Sequence, residues 1–264
     1  GYTVGGVIEE VSFADPAVAA LIRETLSVTE VSILYTDQLW PIEELIMPAQ
    51  ALDYSDLALL PYLKMLIIES GISEHLKNIG SLSRLEELKL LDCRPSGEDL
   101  ALIAAIPTLT KLTLADCGLS SIAALEPAQK LTYLDLNGNT IRNISVLGKM
   151  PHLEEVYLAH NALTDLNVFA NLTNLQRLDV SYNSIPSIAP ICGNISLSWL
   201  DVSHNLIATL GAVDNLSNLT YFAAGSNALT DISQLAECES LAYLDVSNNS
   251  ITDISKLGSL NALQ

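Results

Sequence analysis

The sequence predicts an α/β solenoid, a fold in which short repeats stack into one elongated, curved body. A leucine recurs every 22 residues from Leu109 to Leu263, and an asparagine recurs with the same period from Asn139 to Asn249. Self-similarity at a constant period of this length is the signature of repeat architectures, in which each unit contacts mainly its neighbours. The length of 264 residues alone would suggest two globular domains, but the repeat indicates one elongated domain.

Each repeat has two halves, which differ in the spacing of their apolar residues. In the repeat that begins at Leu131, Leu134 and Leu136 alternate with outward residues, and this alternation is typical of a strand. Ile141 and Ile144 are three residues apart, as in a tight 3₁₀ turn. Because 22 residues leave no room for a full α-helix and two turns, we predict short 3₁₀ or extended segments on the convex side.

The recurring asparagine lies where the predicted strand ends and the chain turns inward. Its side chain both donates and accepts hydrogen bonds, so stacked asparagines can satisfy backbone groups that the turn hides from water. We therefore predict a structural role and no chemistry for Asn139, Asn161, Asn183, Asn205, Asn227 and Asn249. In the four earlier repeats the same position holds Gln50, Gly71, Cys93 and Cys117, and the repeat from Leu85 is two residues longer. We expect those four coils to be less regular.

The two cysteines at this turn position, Cys93 and Cys117, belong to neighbouring coils. Their placement makes a disulfide geometrically conceivable. Two buried thiols are the favoured interpretation, because cysteine is an ordinary occupant of this position in such repeats. The spacing of the Cys and His residues matches no zinc site.

The chain divides into a predicted N-terminal cap, residues 1–41, and an array of about ten repeats over residues 42–264. A helix is predicted over about residues 15–26, because Asp15 is a favourable N-cap and Pro16 suits the first helical position. Its apolar stripe consists of Val18, Leu21, Ile22 and Leu26. The segment Val31–Leu34 is predicted to be a strand. The sequence shows no C-terminal cap, so we expect Leu257 and Leu260 of the last coil to lie near solvent.

The strong negative charge excludes some classes of partner. The formal net charge is −19, which makes nucleic acid and anionic membrane surfaces unfavourable partners. The longest apolar run, Leu100–Ile106, is too short to span a bilayer, so no membrane insertion is expected. Beyond Arg177 the only basic residue is Lys256, so the C-terminal end is predicted to be the more acidic.

The repeat consensus LxxLxLxxNxIxxIxxL occurs together with the motif TDIS, at Thr230–Ser233 and Thr252–Ser255, and with the segment FADPAVAALIRETL at Phe13–Leu26. In these features the chain resembles the internalin-like leucine-rich repeat proteins of bacterial surfaces. The resemblance implies a curved, right-handed solenoid with a parallel β-sheet on its concave face, and a role in binding. It also implies a secreted or surface protein whose leader has been removed before Gly1. A cytoplasmic scaffold that docks and regulates an enzyme is the alternative.

Outward-pointing aromatic residues are the main candidate for a binding site. Five of the nine tyrosines and one of the two tryptophans fall at outward positions of the predicted strands, where they have no core role. Such residues favour recognition of another protein. The predicted concave ligand-binding site consists of Tyr157, His160, Arg177, Tyr182, Trp199, His204, Tyr221 and Tyr243. Loss of the central Trp199 ring is expected to weaken binding and leave stability nearly unchanged. The alternative is that the rings stack only to stabilise the sheet.

Catalytic and metal-binding roles are not predicted. Asp179 and Asp201 are expected about 5 Å apart on adjacent strands, but no shaped cleft or further ligand set accompanies them. His160 and His204 are expected about 10 Å apart, which is wide for a shared metal. The sequence therefore predicts a non-enzymatic domain without cofactor or metal, which binds a protein or, as the alternative, a glycan.

Overall fold

The computed structural model describes residues 7–71 and 73–263. Within these ranges, ten strands form one parallel sheet, and the strands follow each other in sequence order. They are β1 (Glu44–Ile46), β2 (Met65–Glu69), β3 (Glu87–Leu91), β4 (Lys111–Ala115), β5 (Tyr133–Asp135), β6 (Glu155–Tyr157), β7 (Arg177–Asp179), β8 (Trp199–Asp201), β9 (Tyr221–Ala223) and β10 (Tyr243–Asp245). One strand per repeat in a single open sheet confirms the predicted curved solenoid.

The register of the sheet follows the period of the sequence. Leu134, Val156 and Leu178 are direct neighbours on β5, β6 and β7, and all three side chains are fully buried. Successive side chains of a strand point to opposite faces, so the residues beside them point to the concave surface. The buried residues of all coils join into one core that runs along the solenoid.

Short 3₁₀ segments lie on the opposite side of most coils, as predicted. Their bounds are Ser55–Leu59, Ser73–Ser81, Ala123–Leu125, Ser145–Lys149, Asn167–Asn171, Ala189–Ile191, Val213–Asn215, Ser233–Glu237 and Ser255–Ser259. The longer repeat differs, because it contains the α-helix Gly97–Ala104. Ser96 caps this helix by accepting the backbone N–H of Asp99, and Leu100 and Ile103 are buried. The expectation of 3₁₀ or extended segments is therefore wrong for this coil, whose two additional residues accommodate a helix.

The N-terminal segment contains the helix Pro16–Thr25, and Asp15 is its N-cap as predicted. Val18 and Ile22 from the predicted stripe are fully buried, and its other two members, Leu21 and Leu26, pack against the core more loosely. The predicted strand Val31–Leu34 is wrong. Val31 is 90% exposed, and among the described residues the segment belongs to no strand. Only Leu34, at its end, accepts a backbone N–H from another segment, that of Val11 at 2.8 Å, and the short helix Thr36–Leu39 follows.

Two buried aspartates fasten this helix to the first coil. Oδ2 of Asp15 accepts the backbone N–H groups of Leu52 at 2.6 Å and Asp53 at 3.1 Å, while its Oδ1 caps the helix. Asp56 of the first coil accepts the N–H groups of Ala14 at 2.8 Å and Asp15 at 2.9 Å. Burial acts to raise the pKa of Asp15, but four backbone hydrogen bonds outweigh it, so the pKa lies below its ordinary value.

The asparagine ladder has the predicted structural role. The amide nitrogen of Asn183 donates to the carbonyls of Leu158, Val180 and Ser181 at 2.9–3.0 Å, and its oxygen accepts the N–H of Leu163 at 2.9 Å. Each side chain thus connects its own turn to the preceding coil. The same kind of arrangement recurs at Asn139, Asn161, Asn205, Asn227 and Asn249.

The N-terminal coils use weaker groups at this position. Cys93 and Cys117 are buried free thiols, so the favoured interpretation is confirmed over the disulfide. The sulfur of Cys93 accepts the N–H of Gly71 at 3.2 Å, and that of Cys117 donates to Ala115 at 3.3 Å. Gln50, at the same position of the first coil, is exposed and does not extend the ladder into the core.

The last coil is less covered than those before it. Ile254 is 65% exposed and Leu257 is partly buried. The expectation for Leu260 is wrong, because this side chain is only 6% exposed. The backbone N–H of Leu260 donates to Leu257 at the end of the 3₁₀ segment, and this bond turns the leucine onto its own coil.

Candidate binding face

The concave surface of β6–β10 carries the candidate residues predicted from the sequence. Trp199 is paired in register with Tyr221, and Tyr221 with Tyr243, so their rings lie on three consecutive strands. The ring centroids of Trp199 and Tyr221 are 4.8 Å apart, and those of Tyr221 and Tyr243 are 4.4 Å apart, with nearly parallel planes. We call these three residues the Trp199 stack. Burial and the neighbouring Tyr243 raise the pKa of Tyr221 to about 12, so its hydroxyl is a neutral group that donates a hydrogen bond.

A second stack lies at the end of the strands. The rings of His160, Tyr182 and His204 are parallel within 14°, and each imidazole centroid is 4.0 Å from the tyrosine ring. We call these residues the Tyr182 stack. The tyrosine fills the space between the two histidines, so they do not converge on a common metal. All three are exposed, and Tyr182 is 45% exposed.

The backbone under the Tyr182 stack is left-handed, a feature that the sequence interpretation missed. The φ angles of His160, Tyr182 and His204 are 53–55°. This conformation costs a residue other than glycine about 1–2 kcal/mol; histidine is among the residues that adopt it more often, whereas tyrosine is not. Gly138 occupies the same position in an earlier coil and has φ of 69°. A glycine at this position is the sequence signal for the left-handed backbone.

A row of carboxylates crosses the sheet, and one of them, Asp201, lies between the two stacks, which share only its coil. We call Asp135, Asp179, Asp201 and Asp245 the aspartate row. Oδ1 of each accepts the N–H of the residue two positions later, at 2.8–3.0 Å, and so stabilises the turn after the strand. Burial raises the pKa of Asp135 and Asp179 above the ordinary value. On the edge strand the bond from Ser247 has the larger effect and lowers the pKa of Asp245.

Tyr157 and Arg177 complete the candidate set at its N-terminal side. The hydroxyl of Tyr157 donates to Oε2 of Glu155 at 2.7 Å, and burial together with this bond raises the pKa of Tyr157. Its ring lies 6.4 Å from that of Trp199, tilted and without stacking. Arg177 is exposed on β7, in register with Trp199. The structure thus divides the predicted patch into two separate stacks, with Asp201 between them in the one coil that they share.

The stacks also revise the expected effect of removing Trp199. Its ring is only half-buried, as expected for an outward residue, but it contacts Tyr221 face to face. A stacked aromatic pair contributes about 0.5–1.5 kcal/mol beyond area burial. Removal of Trp199 should therefore also lower stability, in contrast to the expectation from sequence. Rings that stack on each other and keep their edges exposed fit both a role in stabilising the sheet and a role in binding.

The concave surface of the preceding strands is different in character. Lys89 lies 2.9 Å and Lys111 3.9 Å from the Glu87 carboxylate, and a hollow of about 340 Å³ extends from these residues to Tyr133 and Glu155. Sequence reasoning did not single out this hollow, because its charges come from three different repeats. Among the described residues, no three His, Cys, Asp or Glu side chains converge as metal ligands. The helices of residues 7–71 and 73–263 lack the length and apolar character needed to cross a membrane.

Comparisons with known proteins agree with this architecture. The leucine-rich repeat family model matches residues 107–163, 129–185 and 151–207. A structure of an internalin (inlF) from Listeria monocytogenes is 22% identical, with 96% of this chain and 94% of that chain covered and a TM-score of 0.67. Internalin C2 (inlC2) from the same organism is 25% identical, with 95% and 92% covered and a TM-score of 0.58.

A third similar structure is that of the plant peptide hormone receptor RGFR1 in complex with RGF2. It is 21% identical, with 83% of this chain and 41% of that chain covered and a TM-score of 0.60. No curated protein matches the chain in sequence. The repeat period, the asparagine ladder and the open parallel sheet agree with the repeat match and with the structural neighbours. The chain has a leucine-rich repeat fold, with the repeat match over residues 107–207, and in this fold it is similar to the internalins.

Proposed function

We propose that the chain is a non-enzymatic recognition domain of a secreted or surface-anchored bacterial protein, and that it binds a protein ligand on the concave face of β6–β10. The observation that carries the proposal is the presence of two ordered ring stacks on a rigid sheet, with Tyr182 and Tyr243 each 45% exposed. Exposed aromatics of this kind are enriched at the centres of protein interfaces.

The geometry supports this proposal in two further ways. Five strands at about 4.8 Å spacing span roughly 20 Å, which is sufficient for a standard protein contact patch. The rings are held by their neighbours before any ligand arrives, so less side-chain entropy is lost on binding. The similarity to internalins supports the surface location, and the similar plant receptor was solved with RGF2.

The proposal can be tested with a library of displayed random peptides, which is selected for binding to the wild-type chain. The affinity of each enriched peptide is then measured for the wild type and for variants. Trp199→Ala should weaken binding by at least about thirtyfold, because loss of an aromatic anchor commonly costs about 2 kcal/mol. The same variant should lose only about 0.5–1.5 kcal/mol of stability through its contact with Tyr221, so it remains folded during the measurement.

Matched controls exist on the same coils outside the strands. Ile195 and Leu206 are 62% and 61% exposed, and their replacement by Ala removes apolar surface away from the sheet. These variants should retain wild-type affinity. Peptides that bind Trp199→Ala as tightly as wild type but lose affinity for Ile195→Ala or Leu206→Ala would place the binding site outside the concave face.

A further inference from the structure

We propose that the concave face accepts a basic segment in an extended, polyproline II-like conformation, with Lys or Arg at every third residue. The inference rests on the proposed function, because it names the chemistry of a partner for the same surface. It is carried by the position of Asp201 between the two ring stacks, with Asp179 and Asp245 each beside one stack, and by the spacing of Asp201 and Asp245 across the sheet.

The charge of the face is complementary to a cationic partner. On β8, Asp201 follows Trp199 by two residues and precedes His204 by three, so its carboxylate lies between the two stacks. Asp179 is its direct neighbour on β7. Within residues 7–71 and 73–263, no Lys or Arg forms an ion pair with the aspartate row. A cationic side chain from a ligand would provide the charge that the row lacks.

The two stacks favour long basic side chains over small cations. In each stack the ring faces contact the neighbouring rings, so mainly the ring edges remain for a ligand. Such edges form apolar walls on both sides of Asp201 and on one side of Asp179 and of Asp245. Lys and Arg bury their methylene stems along apolar surface and keep the charged group beside an acceptor. The arrangement therefore suits these two side chains in particular.

The spacing of the carboxylates indicates the conformation of the partner. Ala223 separates Asp201 from Asp245 in the register of β8, β9 and β10. Two strand spacings are about 9.6 Å. A polyproline II helix advances about 9.3 Å in three residues and returns to the same side. In a β-strand, residues on the same side are about 6.8 Å apart, which does not match. Asp135 and Asp179 have the same two-strand separation, whereas Asp179 and Asp201 lie on adjacent strands, so the match holds within each pair.

Two synthetic peptides of equal composition test this inference by calorimetry. One has the repeat Pro-Pro-Arg, and the other has its arginines in one block followed by prolines. We expect the repeat to bind wild type at least about tenfold more tightly than the block, equivalent to about 1.4 kcal/mol. Equal affinities, or no measurable binding of the repeat, would overturn the inference.

Paired variants separate the face from the overall negative charge. Asp201→Asn with Asp245→Asn removes two charges from the row, while each Asn oxygen can still accept the turn N–H. The control, Asp231→Asn with Asp253→Asn, removes the same charge at exposed turns outside the sheet, where each carboxylate also accepts a backbone N–H. The first pair should lose at least about tenfold in affinity for the repeat, and the control should match wild type. Equal losses of affinity in both paired variants would show that the repeat is attracted by the overall negative charge, and would contradict the inference.

The outcome is distinguishable from failure of the proposed function. If the peptides selected on the chain depend on Trp199 but contain no excess of Lys or Arg, the concave face binds a partner of another chemistry. In that case this inference fails and the proposed function stands. If peptide binding is indifferent both to Trp199→Ala and to the paired Asp201 and Asp245 variant, both proposals fail.

Discussion

The first four coils and the last six coils bury the same kind of aliphatic core but satisfy their turns differently. In the last six, each asparagine amide bridges two coils, as Asn183 does with four hydrogen bonds. In the first four, thiols replace two of these amides, and Gly71 has no side chain to offer. The backbone of the solenoid therefore tolerates weak groups at this position.

The N-terminal coils have other sources of stability. Asp15 and Asp56 connect the N-terminal helix to the first coil through buried hydrogen bonds, and the helix Gly97–Ala104 covers the longer coil. The C-terminal coils have the ladder and the ring stacks instead. The stability of the regular coils therefore depends on identical contacts in each coil, whereas that of the irregular coils depends on a few individual contacts.

The N-terminal region should be the more sensitive to a single substitution. Asp15→Ala leaves four backbone N–H groups without their acceptor, and it should cost about 2–4 kcal/mol of unfolding free energy. Because the pKa of Asp15 is lowered in the fold, its contribution is present above the unfolded value near 3.9 and is lost as pH falls through the folded pKa. The difference between wild type and variant, measured by denaturant unfolding at pH 7 and near pH 3, should therefore narrow at the lower pH.

Asp165→Ala provides the control for that experiment. Asp165 is exposed and accepts one backbone N–H, from Asn167. Its removal should cost less than about 1 kcal/mol. An Asp15→Ala variant as stable as this control would show that the N-terminal helix does not depend on its buried carboxylate.

The ladder itself can be compared between the two regions. Asn183→Ala should cost about 1–3 kcal/mol, because it leaves the buried N–H of Leu163 without its acceptor and removes one of the two donors from each of three carbonyls. Cys117→Ala should cost roughly half as much or less, since a thiol is a weak donor. Thermal and denaturant unfolding of both variants would measure this difference. Equal losses would mean that the amide contributes no more than a sulfur atom, and that the ladder does not explain the regularity of the last six coils.

The smallest change in stability is expected for substitutions within the aspartate row. Burial raises the pKa of Asp179, so its ionised form is disfavoured in the fold, and this penalty disappears as pH falls through the raised pKa. Asp179→Asn should therefore stabilise the chain at pH 7 by about 0.5–1 kcal/mol, with a smaller gain at pH 4. Asp245→Asn should instead lower the stability at pH 7, because the pKa of Asp245 is lowered in the fold. If both variants changed stability at pH 7 in the same direction, burial would not be what distinguishes the two carboxylates.

The regular part of the fold could be predicted because its causes lie within one repeat. The alternation at Leu134 and Leu136 places strands, and the period of 22 residues aligns them in register. The same period identified the outward aromatic residues before any contact was known. The error at Val31–Leu34 has the converse reason, since this short apolar run lies outside the period and, among the described residues, only Leu34 forms a backbone hydrogen bond with another segment.

The sequence by itself determined the solenoid, the ladder and the positions that face the concave surface, because each follows from a local pattern repeated at a fixed interval. Only the tertiary structure decided how the outward residues associate. The rings of His160, Tyr182 and His204 stack because their left-handed backbone turns them onto one line, separate from the Trp199 stack. Likewise the helix Gly97–Ala104 and the contacts of Asp15 with the first coil depend on space and donors that distant residues provide. Contacts between coils are set by three-dimensional register, which a one-dimensional pattern of apolar residues does not contain.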